Sequence, residues 1–248
     1  MPLPFDLTVP AALWMLAVLF GAAFVRGYSG FGFAALVVSG AALVTDPLHF
    51  VPVVLIVDIF LTGAQLRSIR GRIDWRRVGF LFAGALAGVP VGLWLLGLVT
   101  PDAARMAIAL FVLATCLMLW RGWTISRPMG GVAHAGAGVV SGLANAAAVG
   151  GLPVALFFAA QGVPAATFRA TLIVYFTCLD LWTVPLMAAH GMIGADTLAA
   201  SALAMPVLLL GVWLGGRQFL RSDPADFRRF AILLLAGLSI AGLVKSAI

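Results

Sequence analysis

Leu66-Arg67-Ser68-Ile69-Arg70-Gly71-Arg72-Ile73-Asp74-Trp75-Arg76-Arg77 and Gly191-Met192-Ile193-Gly194-Ala195-Asp196 read as two versions of one loop with different charge. The first holds Arg67, Arg70, Arg72, Arg76 and Arg77; the second holds no Lys or Arg. Loops on the cytoplasmic side of a membrane collect Lys and Arg, so the two loops are predicted on opposite sides of a bilayer. Similar halves in opposite orientation are the pattern of an inverted-repeat transporter, with a binding site between the halves near the midplane.

Composition agrees with a membrane location. Of 248 residues, 63% are hydrophobic and 10% charged, which no soluble domain could cover. Apolar stretches of about 20 residues recur, the length that spans a hydrocarbon core of roughly 30 Å. Little chain is left between them, so the chain reads as one membrane domain. The net charge of +6 sits mostly in loops on one predicted face. Topology and anionic headgroups account for it there, and no basic domain suggests nucleic-acid binding. Cys116 and Cys178 both fall in apolar segments, which argues against a disulfide framework or a metal site. Met1 to Asp6 brings no basic residue to the first apolar stretch and does not resemble a cleaved signal peptide.

The apolar segments are residues 10–26 and 29–44, split at Arg26-Gly27-Tyr28-Ser29-Gly30, then 48–69, 76–97 and 103–121. The second half gives 132–147 and 150–161, split near Asn145, Gly150 and Gly151, then 166–189, 197–216 and 227–246. Leu55-Ile56-Val57 matches Leu172-Ile173-Val174, Asp46-Pro47 matches Val163-Pro164, Gly88 and Gly92 match Gly211 and Gly215, and Pro101 and Arg105 match Pro224 and Arg228. The predicted fold is therefore an all-α integral membrane protein of two inverted repeats, residues 1–125 and 126–248. Each repeat has one broken or re-entrant helix pair plus three spanning helices, about eight to ten membrane segments in all.

Parity sets the orientation. Whether a split pair crosses twice or enters and leaves on one side, each half makes an odd number of crossings, so the second half begins upside down. Predicted inside regions hold the five loop arginines with Arg121, Arg127, Arg169, Arg217, Arg221, Arg228 and Arg229; outside regions hold Arg105 and Lys245. Both termini are predicted outside.

The two breaks are the candidate binding site. Gly27, Gly30 and Gly32 crowd one; Gly142, Asn145, Gly150, Gly151 and Pro153 crowd the other. Non-helical backbone at membrane depth survives only where protein or water covers it, and broken helices expose N–H groups that favour anions. Gly84, Gly88 and Gly92 read instead as close helix packing. Arg26 at depth needs a partner or a purpose, since its insertion costs at least about 2.5–3.5 kcal/mol. Its planar fork suits oxyanions, while an interfacial position or a structural ion pair would also explain it. Ser29 and Asn145 are candidate hydrogen-bond donors; Tyr28, Phe31 and Tyr175 are candidate pocket walls.

Asp58 and Asp180 lie near the middles of equivalent segments. Asp58, Thr62 and Gln65 share one helix face, and Thr177, Asp180 and Thr183 form a second polar stripe. Such stripes face the protein interior or a watery path. Proton carrier, partner of Arg26 and purely structural salt bridge are the three readings. His134 and His190 sit at segment ends and read as interfacial, and His49 is placed in an outside loop. No His, Cys or carboxylate set has metal-ligand spacing, and no cofactor is expected. Most tryptophans lie near segment ends, as an interfacial belt predicts.

These residues resemble the sulfite exporter TauE/SafE family over almost the whole chain. Family repeats carry a glycine-rich stretch, a Pro, a Gly-x-Ile/Val-Asp-Trp loop, a glycine-rich span, and a Pro followed by an Arg. The first half gives Gly30-Phe31-Gly32, Pro47, Gly71-Arg72-Ile73-Asp74-Trp75, Gly84/Gly88/Gly92 and Pro101 to Arg105; the second gives Gly142, Gly150-Gly151, Pro164, Gly191 to Asp196, Gly211/Gly215 and Pro224 to Arg228. Phe31, Phe33 and Ala146-Ala147-Ala148 stand where the family is denser in glycine, and Trp is absent beside Asp196.

The resemblance implies a secondary transporter, not an enzyme, that exports sulfite, an organosulfonate or a related small anion from a bacterial inner membrane. The expected mechanism is alternating access, with Arg26 and the breaks holding the anion and Asp58 or Asp180 taking up protons. Partners are the anion and the lipid bilayer, and small-residue faces suit a homodimer. Rival readings are a passive channel of the same fold, a subunit without flux of its own, and an intramembrane serine protease. The last uses Gly27-Tyr28-Ser29-Gly30 as a rhomboid-like motif with His190 as base.

Overall fold

Helix starts along the chain are written in caps. The Thr8 hydroxyl accepts from Ala11 N–H ahead of Pro10, Asp46 accepts from Leu48 N–H at 3.0 Å ahead of Pro47, and Asp74 accepts from Arg77 N–H at 3.1 Å. Each satisfies one of the N–H groups a helix start leaves unpaired. The computed structural model describes residues 3–121 and 129–219. The expected span 227–246 lies outside these residues, with Trp123, Arg127, Arg221, Pro224, Arg228, Arg229 and Lys245; so do the side chains of Arg105, Cys116 and Trp120.

Among the described residues there is no strand. The helices are α1 (Val9–Ser29), α2 (Phe33–Ala41), α3 (Pro47–Ile69), α4 (Trp75–Leu96), α5 (Pro101–Trp120), α6 (Gly131–Asn145), α7 (Gly151–Ala160), α8 (Ala165–Ala189) and α9 (Ala195–Phe219). Five of them, α1, α3, α4, α8 and α9, are long and apolar enough to cross a membrane. At 1.5 Å per residue, α2 and α7 reach only about 15 Å, half a hydrocarbon core. Neither crosses alone.

The first break lies later than the sequence suggested. α1 continues through Arg26, Gly27 and Tyr28, and the chain leaves it at Gly30 (φ 81°) and Gly32 (φ 87°). Left-handed backbone costs a side chain about 1–2 kcal/mol, so these two glycines, and not the arginine, set the break. The second break runs from Asn145 to Gly151 and places Ala148 at φ 58°. An L-residue there carries the strain that glycine avoids.

The two halves exchange partners. α1 packs along α9, and α4 packs along α6, so the first helix of each half lies on the fourth helix of the other. Small residues permit it. Gly84, Gly88 and Gly92 seat against the backbone of Ala135, Val139 and Leu143, and Gly138 and Gly142 return the contact on Leu81 and Ala85. Contacts advance together along both chains, so α4 and α6 run parallel. Gly211 and Gly215 seat in the same way on Phe20 and Phe24, and Gly27 on Val212. Without a Cβ the backbones approach closely, which drives helix association in lipid. The packing reading of Gly84, Gly88 and Gly92 holds, and Gly142 joins it.

α3 and α8 meet at the centre and run antiparallel. Thr177 donates to Thr62 at 2.7 Å, and Arg169 to Ser68 at 3.4 Å, pairing the late part of α3 with the early part of α8. Arg169 is thus no loop residue. It is 5% exposed, donates to the Gly27 carbonyl through Nη2 (2.7 Å) and Nε (3.2 Å), and lies over the Phe219 ring. His134, in the first turn of α6, is likewise buried: its ring pairs with the Gly130 carbonyl and packs edge-on to Phe157 and Phe158. His49 stands in the first turn of α3, stacked on Phe5.

Candidate functional site

A small cavity lies where both breaks meet α3 and α8. Its walls are Arg26, Asp58, Asn145 and Asp180, the first turn of α2 from Gly32 to Ala35, and Gly151 and Leu152 at the start of α7; Gly30, Phe31, Leu55, Ala148 and Phe176 complete them. Water-accessible space is about 40 Å³, against the 10–15 Å³ that one water needs. Two half-helices therefore point their N-terminal ends at a cavity that also holds a guanidinium and two carboxylates.

Arg26 is the most constrained group. It sits in the last turn of α1, 2% exposed. Its Nε pairs with Asp58 Oδ1 and its Nη2 donates to Asp58 Oδ2 at 2.8 Å, a bidentate ion pair. Nη2 also reaches Thr62 Oγ1 at 2.8 Å and the Asp58 carbonyl at 3.2 Å, while Nη1 donates to Gln65 Oε1. The stripe Asp58, Thr62, Gln65 thus serves one arginine along one face of α3. A guanidinium has five N–H donors, so one on Nη1 is left among the described residues.

Asp180 is held differently. Asn145, at the end of α6, donates to it at a long 3.4 Å and to Thr183 at 3.0 Å. Asp180 faces Asp58 and, beyond it, Arg26. Asn145 thus occupies, at the second break, the place Arg26 takes at the first: a side chain at a helix end reaching an aspartate and a threonine on a central helix. One half supplies a charge and the other an amide. With both carboxylates ionised the cavity residues sum to one negative charge; with Asp180 protonated they sum to zero.

The other expected site residues stand behind the cavity. The Ser29 hydroxyl lies 2.8 Å from the Val25 carbonyl and accepts from Phe31 N–H, so it braces the turn. His190 is exposed at the end of α8, bonded to the Leu186 carbonyl, and no contact joins it to Ser29. Tyr28 is buried edge-on to Phe219. Tyr175 is buried beside Phe176, which itself lines the cavity. Gly27 lies on Val212, and the Gly150 carbonyl accepts from Ser141 at 2.7 Å. Ala34, Ala35, Leu152 and Phe176 line the cavity without any mark in the sequence, because apolar residues that line a cavity look like any others in an apolar span.

An all-helical membrane bundle with two interrupted helices facing a buried, charged cavity is the architecture of a small-solute transporter. Residues 15–242 match the sulfite exporter TauE/SafE family, and the chain belongs to that family of membrane transport proteins. It is 28% identical over 250 residues to a probable sulfite/organosulfonate exporter TauE of Cupriavidus necator, covering 95% of this chain and 94% of that one. It is 29% identical over 189 residues to a probable inner membrane transporter protein TsaS of Comamonas testosteroni, covering 72% of this chain and 75% of that one. No solved structure matches the chain.

Proposed function

We propose that the chain exports sulfite, an organosulfonate or a related small sulfur-containing anion across the bacterial inner membrane, by proton-coupled alternating access. The observation that carries this reading is the cavity in which Arg26 and the first turns of α2 and α7 converge on one small volume. Unpaired N–H groups at helix starts attract anions, and the spare Arg26 donor adds a directed bond. The Cupriavidus relative, a probable sulfite/organosulfonate exporter aligned over nearly the whole chain, supports an oxyanion substrate.

Two inverted repeats, 1–125 and 126–248, with both termini outside, supply the moving parts in this reading. Support comes from the antiparallel pairing of α3 with α8 and from the exchanged α1–α9 and α4–α6 packing. The two exchanged pairs would rock about the α3–α8 crossing.

Charge balance supports Asp180 as the proton carrier in this reading. Asp58 is committed to Arg26 by two bonds, whereas Asp180 has one long donor. An arriving anion meets a cavity of net charge −1 if Asp180 is ionised, and repulsion falls when it takes a proton. Proton and anion then bind together and travel together. For a dianion with one proton, the moving charge is −1, and an inside-negative potential drives it outward with about 2.3 kcal/mol per 100 mV.

Thermal unfolding of the purified protein with sulfite, sulfate, thiosulfate, taurine or acetate tests the reading. A ligand at a hundredfold its Kd stabilises by about 2.7 kcal/mol. Sulfite or a sulfonate should raise the melting point in wild type and fail to do so in Ala35→Leu, which fills the cavity without altering a charge. Stabilisation by none of the sulfur anions overturns the substrate class.

A further inference from the structure

A second cavity opens on the surface beside the α3–α8 crossing. It holds about 480 Å³ of water-accessible space and runs from Arg67 and Arg70 past Leu66 and Cys178 to Thr62 and Thr177. Its walls are otherwise apolar, and Trp75, 65% exposed, stands at the charged mouth. Arg67 and Arg70 are exposed and form no ion pair among the described residues, whereas nearby Arg77 pairs with Asp74. From Arg70 to Thr62 is eight residues of helix, about 12 Å, close to the hydrocarbon depth of one leaflet.

We infer that this groove holds an anionic glycerophospholipid, its phosphate on Arg67 and Arg70 and one acyl chain laid along α3 and α8. Charge complementarity commits the occupant. A second protein copy would have to bury two unpaired guanidinium groups, while a phospholipid pairs them at the interface and fills the apolar run with a chain. Trp75 beside the arginines marks headgroup level. The deep end is functional ground: Thr62 accepts both from Thr177 and from Arg26, so the chain terminus would rest one hydroxyl away from the Arg26–Asp58 pair. The inference does not depend on which anion is transported.

Native mass spectrometry of the full chain, released from micelles containing equal phosphatidylglycerol and phosphatidylcholine, reads it directly. An arginine near an anionic surface contributes about fivefold in affinity, so two give a phosphatidylglycerol preference of about thirtyfold. Arg67→Gln/Arg70→Gln should remove most of that preference. Arg72→Gln/Arg76→Gln changes charge equally on the same face but away from the groove, and should keep it. Cys178→Phe, which narrows the groove and alters no charge, should lower retention of the lipid. Equal losses in the two arginine pairs would mean diffuse surface charge and overturn the site, as would full retention in Arg67→Gln/Arg70→Gln. A dimer that forms through this groove and excludes phosphatidylglycerol would overturn it as well.

Discussion

Asp58→Asn removes the charge partner of a guanidinium that is 2% exposed and cannot lose its own charge. The variant keeps Gln65 and Thr62 as acceptors but takes from the guanidinium the one carboxylate that holds it by two bonds. Breaking such a pair from one side costs about 3–5 kcal/mol. Arg26→Met is the gentler half of the cycle, because a lone carboxylate can neutralise itself by binding a proton; its cost is about 1–3 kcal/mol. Arg26→Met/Asp58→Leu removes both charges, and well-packed apolar replacements of a buried pair are often neutral. The singles should therefore exceed the double by at least about 2 kcal/mol, a coupling within the usual range for contacting residues. Unfolding by sodium dodecyl sulfate in mixed micelles at neutral pH measures all four proteins. Additive costs, or an Asp58→Asn variant as stable as wild type, would refute the reasoning that this pair is the charge anchor of the bundle.

Three further outcomes follow from the packing and the cavity. Gly84→Ala drives a Cβ into the Ala135 carbonyl and should cost about 1–3 kcal/mol, whereas Gly63→Ala, with open space around it, should be neutral or stabilising by about 0.5–1 kcal/mol; chemical unfolding of the pair separates backbone contact from helix propensity. Ala148→Gly relieves left-handed strain and should raise stability by about 1 kcal/mol in the same assay. On mixing with a sulfonate, which carries no proton of its own near neutral pH, in unbuffered solution, wild type should take up about one proton per bound anion, read by an indicator dye, and Asp180→Asn none. Sulfonate affinity should fall with rising pH in wild type, because the bound state holds the extra proton, and stay flat in Asp180→Asn.

Much of this architecture was legible in the sequence because lipid leaves few alternatives. A hydrophobic run of about 20 residues has to be a helix, and the expected limits of α3, α4, α8 and α9 lie within a few residues of the observed ones. The stripe Asp58, Thr62, Gln65 was readable because polar residues are rare in such a span and share a face only at helical spacing. Two things were hidden. Arg26 looked like the edge of the break because charge usually ends an apolar run; its partner on α3, 32 residues away, let the helix continue. Arg169 looked like loop charge for the same reason, and only the meeting of α1 with α8 shows its guanidinium on the Gly27 carbonyl. Glycines posed the complementary problem. Gly27 and Gly30 stand three residues apart in one cluster, yet one seats a neighbouring helix and the other turns the chain, and nothing local distinguishes them.

Efflux of sulfite from proteoliposomes, followed together with internal pH, tests the central claim most directly. Wild type should carry sulfite and protons outward in a fixed ratio, and Asp180→Asn should exchange sulfite for sulfite while losing net proton movement. Unchanged proton-coupled efflux in Asp180→Asn, or sulfite efflux from wild type with no proton movement, would contradict it.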